Sequence, residues 1–332
     1  MTVLVTGGAG FIGSHMVLSL IEAGEEVIVL DNLSTGFRFL VPKDAFLVVG
    51  DVGDQELLQV LIKKFQINAV LHFAGSIIVP ESVSNPLLYY NNNTVKSRAL
   101  IEIAVRMGVK HFIFSSTAAV YGTPQDKTVS ETSATMPVSP YGTSKLMTEM
   151  MLSDCSYAHN FKYIALRYFN VAGADPLGRS GQSTPKATHL IKVASETALG
   201  RRPYMEVFGT DYPTRDGTCI RDYIHVSDLI HAHSLALDYL RSGGNSEIFN
   251  CGYSFGFTVY EVINAVKKIS GKNFEIHLSN RRLGDPPSIV ADSQKIRKIL
   301  GWQPSHDNLE KIVSHALNWE KKLPLQKPNN NT

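Results

Sequence analysis

The sequence Thr6-Gly7-Gly8-Ala9-Gly10-Phe11-Ile12-Gly13 follows the apolar run Val3-Leu4-Val5 and precedes a segment, Ser14 to Ala23, with helically spaced apolar residues. The turn matches the pattern GxGxxG. Glycine is needed there where the backbone approaches a pyrophosphate and where a helix meets a strand closely. The start of the helix also offers free N–H groups and the positive end of its dipole. Since a second apolar run ends at Asp31, a dinucleotide site is favoured over a purely structural turn.

The alternation of strands and helices continues through the first half of the chain. Short apolar runs between helices are typical of a parallel sheet that is covered on both faces. Right-handed crossovers then predict an open, doubly wound sheet of the Rossmann type. The predicted strands after Asp31 are Phe46 to Val49, Ala69 to Phe73, Phe112 to Phe114 and Ile164 to Arg167.

The regular alternation ends near residue 170. Segments 171–187 and 203–219 are rich in Gly, Pro, Asp and Thr and are predicted to be long loops, which are uncommon unless functional. We expect an α/β protein with a smaller α/β substrate-binding portion on the C-terminal side of the sheet. The predicted division is 1–170 for the Rossmann domain, with a return segment near 223–250, then 171–222 and 251–325 for the substrate-binding domain, and 326–332 for a tail.

Bulk composition excludes several classes of protein. The 332 residues carry 32 Lys and Arg against 30 Asp and Glu, and this balance without a basic block argues against a dedicated nucleic-acid binder. No apolar run approaches the ~18 residues of a membrane helix, and the N-terminus lacks the features of a signal peptide. Cys155, Cys219 and Cys251 are few and far apart, so we expect reduced thiols, no metal site and a cytoplasmic protein.

Candidate catalytic chemistry lies in the stretch Ser139-Pro140-Tyr141-Gly142-Thr143-Ser144-Lys145. Ser can cap a helix and Pro fits its first position, so Tyr141 and Lys145 are predicted to project from one helical face. A phenol has an ordinary pKa of about 10 and is a poor base at pH 7, but a cation held beside it favours the phenolate. An ordinary amphipathic helix is the alternative for this pair.

Three further side chains fall at predicted strand ends, where ligands of such sheets bind. Asp31 is positioned to accept hydrogen bonds from both ribose hydroxyls and would repel a 2′-phosphate, which favours NAD over NADP. Asp51 could bind the adenine amino group, or it could cap its own loop. Thr117 could bond a substrate hydroxyl or carbonyl, or only the neighbouring backbone.

These motifs carry a family resemblance. TGGAGFIG, Asp31, HFAG, YYNNN, SST, YGTSK and RYFN are similar to the extended short-chain dehydrogenase/reductase superfamily. Three further segments resemble the UDP-glucose (UDP-galactose) 4-epimerases within it. They are RYFNVAGAD at 167–175, FGTDYPTRDGTCIRDYIHVSDL at 208–229 and RRLGD at 281–285.

The resemblance implies an isomerase in which hydride passes from sugar C4 to NAD and returns to the other face after the bound 4-keto sugar has turned over. Tyr141 would take the proton from the 4-hydroxyl, with Thr117 helping to shuttle it. Lys145 would hold the nicotinamide ribose and lower the pKa of Tyr141. The implied cofactor contacts are Gly7, Gly10, Phe11, Ile12, Gly13, Asp31, Asn32, Asp51, Val52, Phe73, Ala74, Gly75, Asn92, Ser115, Tyr141, Lys145 and Tyr168.

The resemblance also assigns residues to the UDP half of the substrate. Arg221 and Arg282 would clamp the diphosphate, for which a planar fork of donors is well suited, and Asp285 would bind the uridine ribose. Either arginine could instead be a surface ion-pair partner, and Arg221 could pair with Asp222. The implied substrate contacts are Thr117, Tyr141, Asn170, His189, Leu190, Phe208 (at the uracil), Arg221, Tyr223, Arg282, Asp285 and Ile289.

Three positions depart from the epimerase pattern. Ile77 replaces a Lys that commonly contacts the cofactor, which removes one charge and is expected to loosen NAD. Thr188-His189-Leu190 replaces Asn-Asn-Leu, a variant also seen in family members. Ile289 is smaller than the Tyr that excludes N-acetyl groups, so we hypothesise that UDP-GlcNAc and UDP-GalNAc are also accepted.

Related sugar-nucleotide enzymes of the superfamily differ in the residues that follow Thr117. Ala118-Ala119 offers no second acid, which argues against sugar-nucleotide 4,6-dehydratases and UDP-glucuronate decarboxylases, and Asp31 opposes an NADP-dependent reductase. A UDP-glucuronate 4-epimerase remains an alternative. A non-catalytic NAD- or nucleotide-sugar-binding protein is another, although the intact Thr117, Tyr141 and Lys145 argue against it. The resemblance further suggests a homodimer formed through helices around 91–107 and 140–158.

His225, His231 and His233 are the remaining candidates for a metal site. Their spacing does not form a helical pair of ligands, so we interpret them as structural residues.

Overall fold

The computed structural model describes residues 1–124, 126, 128–185, 187–282 and 285–324. Strands and helices alternate along most of this length. The elements in chain order are β1 (Thr2–Thr6), α1 (Phe11–Glu22), β2 (Glu26–Asp31), a 3-10 turn (Arg38–Leu40), β3 (Phe46–Val49), α2 (Gln55–Phe65), β4 (Ala69–His72), α3 (Val79–Ser84), α4 (Pro86–Tyr89), a π-helical turn (Tyr90–Val95), α5 (Lys96–Arg106), β5 (His111–Ser115), a 3-10 turn (Ala118–Tyr121), β6 (Thr128–Val129), α6 (Pro140–Ala158), β7 (Lys162–Tyr168), β8 (Asn170–Ala172), α7 (Leu190–Ala198), β9 (Tyr204–Phe208), β10 (Ile220–Arg221), β11 (Tyr223–His225), α8 (Val226–Arg241), β12 (Glu247–Cys251), β13 (Phe257–Thr258), α9 (Val259–Ser270), β14 (Glu275–Ser279), β15 (Ser288–Ala291), α10 (Gln294–Leu300) and α11 (Leu309–Lys322).

A seven-stranded parallel sheet organises the molecule. Its strand order is β3-β2-β1-β4-β5-β7-β12, and every neighbouring pair is parallel. The predicted doubly wound Rossmann sheet is therefore confirmed. Because the strand order reverses between β1 and β4, the carboxyl ends of these two strands flank the position where such sheets bind their ligands.

Both faces of this sheet are covered, which explains its apolar strands. Alternate side chains of β1 enter two separate cores: Val3 and Val5 pack on one face and Leu4 on the other. The first core includes Met16 of α1 and residues of α8, whereas the second includes Leu58 of α2 and residues of α5 and α6. A strand that is buried on both faces has no solvent-facing side, so its sequence is a continuous apolar run.

Smaller sheets form in the second half of the chain. A four-stranded sheet has the order β13-β10-β15-β6, so Thr128–Val129 pairs with a strand about 160 residues later in the chain. The prediction of unbroken loops over 171–187 and 203–219 is wrong at two points. Asn170–Ala172 pairs with β11, and Tyr204–Phe208 pairs in parallel with β14. In the second case Met205 and Val207 are buried between exposed neighbours, a period-two pattern whose partner strand lies far away in sequence.

Several helix ends follow the local sequence. Asp54 caps α2 by accepting a hydrogen bond from the Leu57 N–H at 3.0 Å. At the start of α9, Thr258 and Glu261 form a reciprocal capping box, and Gly271 ends this helix with a left-handed φ of 66°. These contacts satisfy N–H and C=O groups that a helix otherwise leaves unpaired at its ends.

No helix within the described ranges has the length and apolar character needed to cross a membrane. The thiol of Cys155 is partly buried and those of Cys219 and Cys251 are buried, and all three are free.

Buried histidines are expected to make the fold sensitive to acid. Burial lowers the pKa of His15 and His233 to about 4, of His72 to about 3 and of His225 to about 2. Below the ordinary pKa of about 6.5 the unfolded chain binds protons that the folded chain does not, so stability is lost as the pH falls below that value. Each imidazole contributes about 1.4 kcal/mol per pH unit to this loss. Burial raises the pKa of Asp222 to about 6, which has the opposite effect on stability. As the pH falls, this carboxylate takes up a proton in the folded chain before it does so in the unfolded chain, and the folded state is thereby stabilised.

We therefore expect the free energy of unfolding, measured by urea denaturation at constant ionic strength, to fall between pH 6.5 and 4.5. Replacing buried His233 with Leu should reduce the slope by about one proton's contribution. Replacing exposed His231 with Gln is the matched control and should leave the slope unchanged. Equal slopes in all three proteins would contradict the assignment to buried imidazoles.

Candidate active site

The glycine-rich turn brings β1, α1 and β4 closer than side chains would allow. A Cβ on Gly13 would lie 2.2 Å from the carbonyl oxygen of Gly7, and one on Gly7 would lie 2.6 Å from the Ala74 nitrogen. Gly7 also has a left-handed φ of 70°. Helix α1 begins at Phe11 with no side chain capping it. Its first N–H groups are therefore available to an anion, and the cradle fits a dinucleotide pyrophosphate.

Asp31 lies at the end of β2 beside this turn. Its carboxylate accepts hydrogen bonds from the Ala9 N–H at 3.0 Å and the Leu33 N–H at 2.8 Å. Burial raises the pKa of Asp31, while these two bonds lower it. A carboxylate has about four acceptor positions, so two remain for ribose hydroxyls.

Asp51 makes the contacts expected of a residue that caps its own loop. Its carboxylate accepts from the Gly53 N–H at 2.8 Å and pairs with Lys96 at 2.6 Å. Burial acts to raise the pKa of Asp51, but the hydrogen bond from Lys96 and its charge outweigh it. Asn32 lies at 3.5 Å from the same carboxylate, and Val52 packs partly buried against the core beside α2. Asn32 follows β2 and Val52 follows β3, and these two strands pair side by side.

A π-helical turn follows α4 and faces the end of β4. Gly75 lies so close to it that a Cβ would be 2.9 Å from Asn93 Oδ1 and 3.7 Å from Lys145 Nζ. Asn93 is 2% exposed, accepts from the Ser76 N–H at 2.8 Å and donates to the Ser76 carbonyl at 2.9 Å. The predicted Asn92 instead donates to the Ser76 hydroxyl at 3.0 Å. Asn93, which the sequence analysis did not name, is thus the amide that bonds the backbone of Ser76 next to Gly75.

The Tyr141 and Lys145 pair lies on α6 as predicted from its cap. Ser139 accepts from the Gly142 N–H at 3.2 Å and Pro140 occupies the first turn. Lys145 is 3% exposed, donates to the Ser115 carbonyl at 2.9 Å and lies 5.0 Å from the centre of the Phe114 ring. Burial lowers the pKa of Lys145 to about 8, and the charge of Glu149 opposes this shift.

The pKa of Tyr141 is raised within the chain alone, whereas the resemblance implies that Lys145 lowers it. Burial raises it, and the Thr117 hydroxyl beside the phenol is the group that lowers it. The Lys145 ammonium is directed at the Ser115 carbonyl and makes no hydrogen bond to the phenol. Thr117 also accepts from the Ala119 N–H at 3.1 Å, so its backbone-bonding alternative is present as well. The Ser115 hydroxyl is hydrogen-bonded to that of Tyr168.

A cavity joins the cofactor turn to residues predicted for the substrate. Phe11 and Asn170 line it together with His189, Leu190 and Tyr223. Asn170 and Tyr223 are register partners in the β8–β11 pair. Ile12 packs partly buried against the core of α1, whereas Ile77 is 48% exposed near the end of β4.

The residues predicted for the UDP half contact one another. Arg221 pairs with Asp285 at 2.9 Å, and the Arg282 guanidinium lies 3.8 Å from the centre of the Phe208 ring. The alternative pairing of Arg221 with Asp222 is wrong, since buried Asp222 instead accepts the backbone N–H groups of Tyr253, Ser254 and Ala291.

Ile289 connects this region to the catalytic segment. It is the register partner of Arg221 in the β10–β15 pair. It is 7% exposed and packs in a cluster with Ala118 and Val129. Its cluster therefore includes Ala118, the residue that follows Thr117 in the chain.

Two of the three histidines have local roles. His225 caps α8 by accepting from the Ser227 N–H, and His233 bonds the Leu229 carbonyl, while His231 is exposed. Across the described residues, no group of three or more His, Cys, Asp or Glu side chains is arranged to hold a metal ion.

The matching family model carries the description NAD dependent epimerase/dehydratase family and spans residues 3–252. The chain belongs to this family of nucleotide-dependent Rossmann proteins. Within it, the chain is similar to UDP-glucose 4-epimerases. The UDP-glucose 4-epimerase of Azospirillum brasilense is 54% identical over 321 residues, which cover 97% of this chain and 92% of the relative.

Two solved structures show the same similarity to UDP-sugar 4-epimerases. The UDP-Glc/GlcNAc 4-epimerase from Campylobacter jejuni is 49% identical with a TM-score of 0.85, covering 97% of this chain and 99% of that one. The UDP-glucose 4-epimerase from Brucella ovis in complex with NAD is 41% identical with a TM-score of 0.93, covering 96% and 97%. The resemblance drawn from the sequence motifs is confirmed.

Proposed function

We propose that this protein interconverts UDP-glucose and UDP-galactose by NAD-dependent oxidation and reduction at sugar C4. The observation that carries the proposal is the arrangement of Tyr141, Thr117 and Lys145 beside the glycine-rich turn. Ala118 and Ala119 follow Thr117, so no second acid is available there for elimination or decarboxylation. The curated relative from Azospirillum brasilense and the solved structure from Brucella ovis are both UDP-glucose 4-epimerases.

The reaction requires a base and a hydride acceptor in one site. NAD, held by the glycine turn and Asp31, supplies the hydride acceptor and a positively charged ring when bound. Tyr141 removes the proton from the sugar 4-hydroxyl, and Thr117 bonds the same oxygen and shuttles the proton. Lys145 adds positive charge beside the phenolate. Burial alone raises the pKa of Tyr141, so a cation close to the phenol is needed for it to act as a base near pH 7.

The UDP half is bound by the second group of residues. Arg221 and Arg282 hold the diphosphate, Asp285 binds the uridine ribose and Phe208 packs on the uracil. Arg221 contacts Asp285 and Arg282 contacts Phe208, so each proposed diphosphate ligand lies beside a second residue proposed for the UDP half. We assign this role to residues 171–222 and 251–325, and the cofactor role to residues 1–170 with the return segment near 223–250.

We expect UDP-GalNAc to be turned over as well as UDP-galactose. Ile289 belongs to the same buried cluster as Ala118, the residue after Thr117, and we expect a larger ring there to reduce the space for the sugar. The Campylobacter jejuni relative is named a UDP-Glc/GlcNAc 4-epimerase. Replacing Ile289 with Tyr should lower kcat/KM for UDP-GalNAc by roughly a hundredfold and that for UDP-galactose by less than about threefold.

The assay uses protein purified without added cofactor, with UDP-galactose, UDP-GalNAc and UDP-glucuronate as substrates and the C4 stereochemistry of the products as the readout. Replacing Ile299, an exposed residue of α10, with Tyr is the matched control and should change neither activity. If UDP-glucuronate is the one substrate that is turned over, the protein is a UDP-glucuronate 4-epimerase and the proposed function is wrong. Absence of UDP-GalNAc turnover would contradict the broader substrate range only.

A homodimer is the proposed assembly. Apolar side chains are exposed on α4, the π-helical turn and α6, which pack against one another. Leu87 is 77%, Val95 55% and Met150 56% exposed, and such a patch is typical of an interface. The proposed interface comprises the helices around 91–107 and 140–158. Light scattering should give the mass of two chains, and of one chain after Met150→Glu.

The proposed location is the cytoplasm. Three free thiols, two of them buried, are compatible with a reducing compartment, in which disulfides are rare.

A further inference from the structure

A buried ion pair lies behind the catalytic side chains. Arg167 Nη2 is 2.6 Å from Glu149 Oε2, and Arg167 Nε is 3.0 Å from Glu149 Oε1. The two side chains are 5% and 2% exposed. Removing two charges from water costs several kcal/mol per ion, so a buried pair is weak evidence for a role in stability alone. The groups that this ion pair contacts therefore indicate its role.

The pair reaches both ends of the segment that carries Thr117. The Ser116 hydroxyl donates to Glu149 Oε1. On the other side of Thr117, Arg167 Nη1 donates to the Tyr121 hydroxyl at 3.1 Å, which in turn donates to Asn250 Oδ1 at 2.6 Å. Ser116 precedes Thr117, and Tyr121 is the last residue of the 3-10 turn that follows it. The chain on both sides of Thr117 is thus held by two side chains outside the proposed catalytic set.

Glu149 also lies one helical turn beyond Lys145 on α6. The remaining groups around Lys145 are the Ser115 carbonyl and the Phe114 ring of β5, together with His72 of β4. His72 is an uncharged imidazole at neutral pH, since burial lowers its pKa to about 3. Among the groups that face Lys145, Glu149 is the one that raises its pKa. Its charge is shared with Arg167, which faces it from β7.

We propose that Glu149 is a positioning residue of the active site: with Arg167 it fixes the segment around Thr117, and it places a carboxylate one helical turn beyond Lys145 on α6. This inference rests on the proposed function, because its readout is C4 epimerisation. It adds a second layer of residues to a site in which Tyr141, Thr117 and Lys145 are the groups that meet substrate and cofactor.

The direct test is Glu149→Gln, which removes the charge and keeps the shape. We expect kcat with UDP-galactose to fall roughly ten- to a hundredfold. KM should stay within about twofold, since the residue makes no substrate contact. The basic limb of the kcat–pH profile, where Lys145 loses its proton, should move to lower pH by roughly one unit.

Two further variants separate position from charge. Ser116→Ala removes one bond to Glu149 and keeps the charge, so kcat should fall about fivefold with the basic limb unchanged. Glu149→Asp also keeps the charge, but it shortens the side chain, and should behave in the same way. Glu25→Gln is the matched control. It breaks the Glu25–Arg241 pair of 2.6 Å at the amino ends of the strands and should change neither kcat nor the profile.

Circular dichroism and bound NAD content establish that each variant is folded. A folded Glu149→Gln protein with the kcat and pH profile of the wild type would overturn the proposal. If that variant does not fold, an unchanged kcat in Ser116→Ala overturns it instead. If the wild-type protein itself does not epimerise UDP-sugars, the proposed function is wrong. If the wild type is active and the variants are equally active, only the positioning role of Glu149 is wrong.

Discussion

Replacing Tyr141 with Phe is expected to lower kcat for C4 epimerisation by about a thousandfold while NAD remains bound. The phenol is the group that accepts the sugar proton, and loss of a general base costs typically 10²- to 10⁴-fold. The ring itself is kept, so its T-shaped contact with Tyr89 and the start of α6 are retained. The measurement is the rate of UDP-galactose conversion together with the NAD content of the purified protein.

Tyr157→Phe is the matched control for this variant. Tyr157 lies on the same helix, is 97% exposed and is remote from Thr117 in the chain, so the loss of its hydroxyl should leave kcat unchanged. If Tyr141→Phe retains wild-type activity, another residue serves as the base. If activity and NAD are lost together, the phenol is needed for cofactor binding and its role as a base is not supported.

Replacing Gly13 with Ala is expected to destabilise the fold by about 3 kcal/mol or more and to abolish NAD binding. The added Cβ would lie 2.2 Å from the Gly7 carbonyl oxygen and 2.8 Å from the Gly8 Cα. Both contacts are with backbone, so α1 must move away from β1, and overpacking of this kind costs about 1–3 kcal/mol or more. Urea denaturation and the NAD content of the purified protein measure the two effects.

Gly10→Ala separates cofactor binding from packing. Its Cβ would meet only the Gly7 carbonyl oxygen, at 3.3 Å, and the backbone there has a φ of −85° that alanine adopts. We expect a stability loss of about 1 kcal/mol or less, but loss of NAD, because the methyl group lies where the pyrophosphate approaches. Retention of NAD by both variants would mean that the turn is structural and that the dinucleotide binds elsewhere.

Local sequence was sufficient for much of the Rossmann half. The turn after β1, the acidic end of β2 and the Ser139 cap of α6 all depend on residues within about one element of each other. Burial on both faces produces apolar runs that are visible without any knowledge of their partners. The same holds for the Tyr141 and Lys145 spacing, because i, i+4 side chains share a helical face.

Other features were missed because their partners lie far away in sequence. The strand Tyr204–Phe208 pairs with residues 275–279, and its short alternating pattern was hidden in a segment rich in turn-forming residues. The contacts of Asn93 with Ser76 depend on a π-helical turn, which shifts the faces of a helix and has no clear local signal. The i, i+4 spacing of Lys145 and Glu149 was a usable signal for Glu149, but only packing revealed its partner Arg167.

The sequence by itself determined the doubly wound fold, the glycine turn with Asp31, the Tyr141 and Lys145 pair, and the family. Each follows from neighbouring residues whose spacing sets backbone conformation or a shared face. The tertiary structure alone decided that Arg221 pairs with Asp285, that Ile289 packs beside Ala118, and that Glu149 and Arg167 hold the segment around Thr117. These contacts join residues up to 171 positions apart, and such pairings are set by the packing of whole elements against one another.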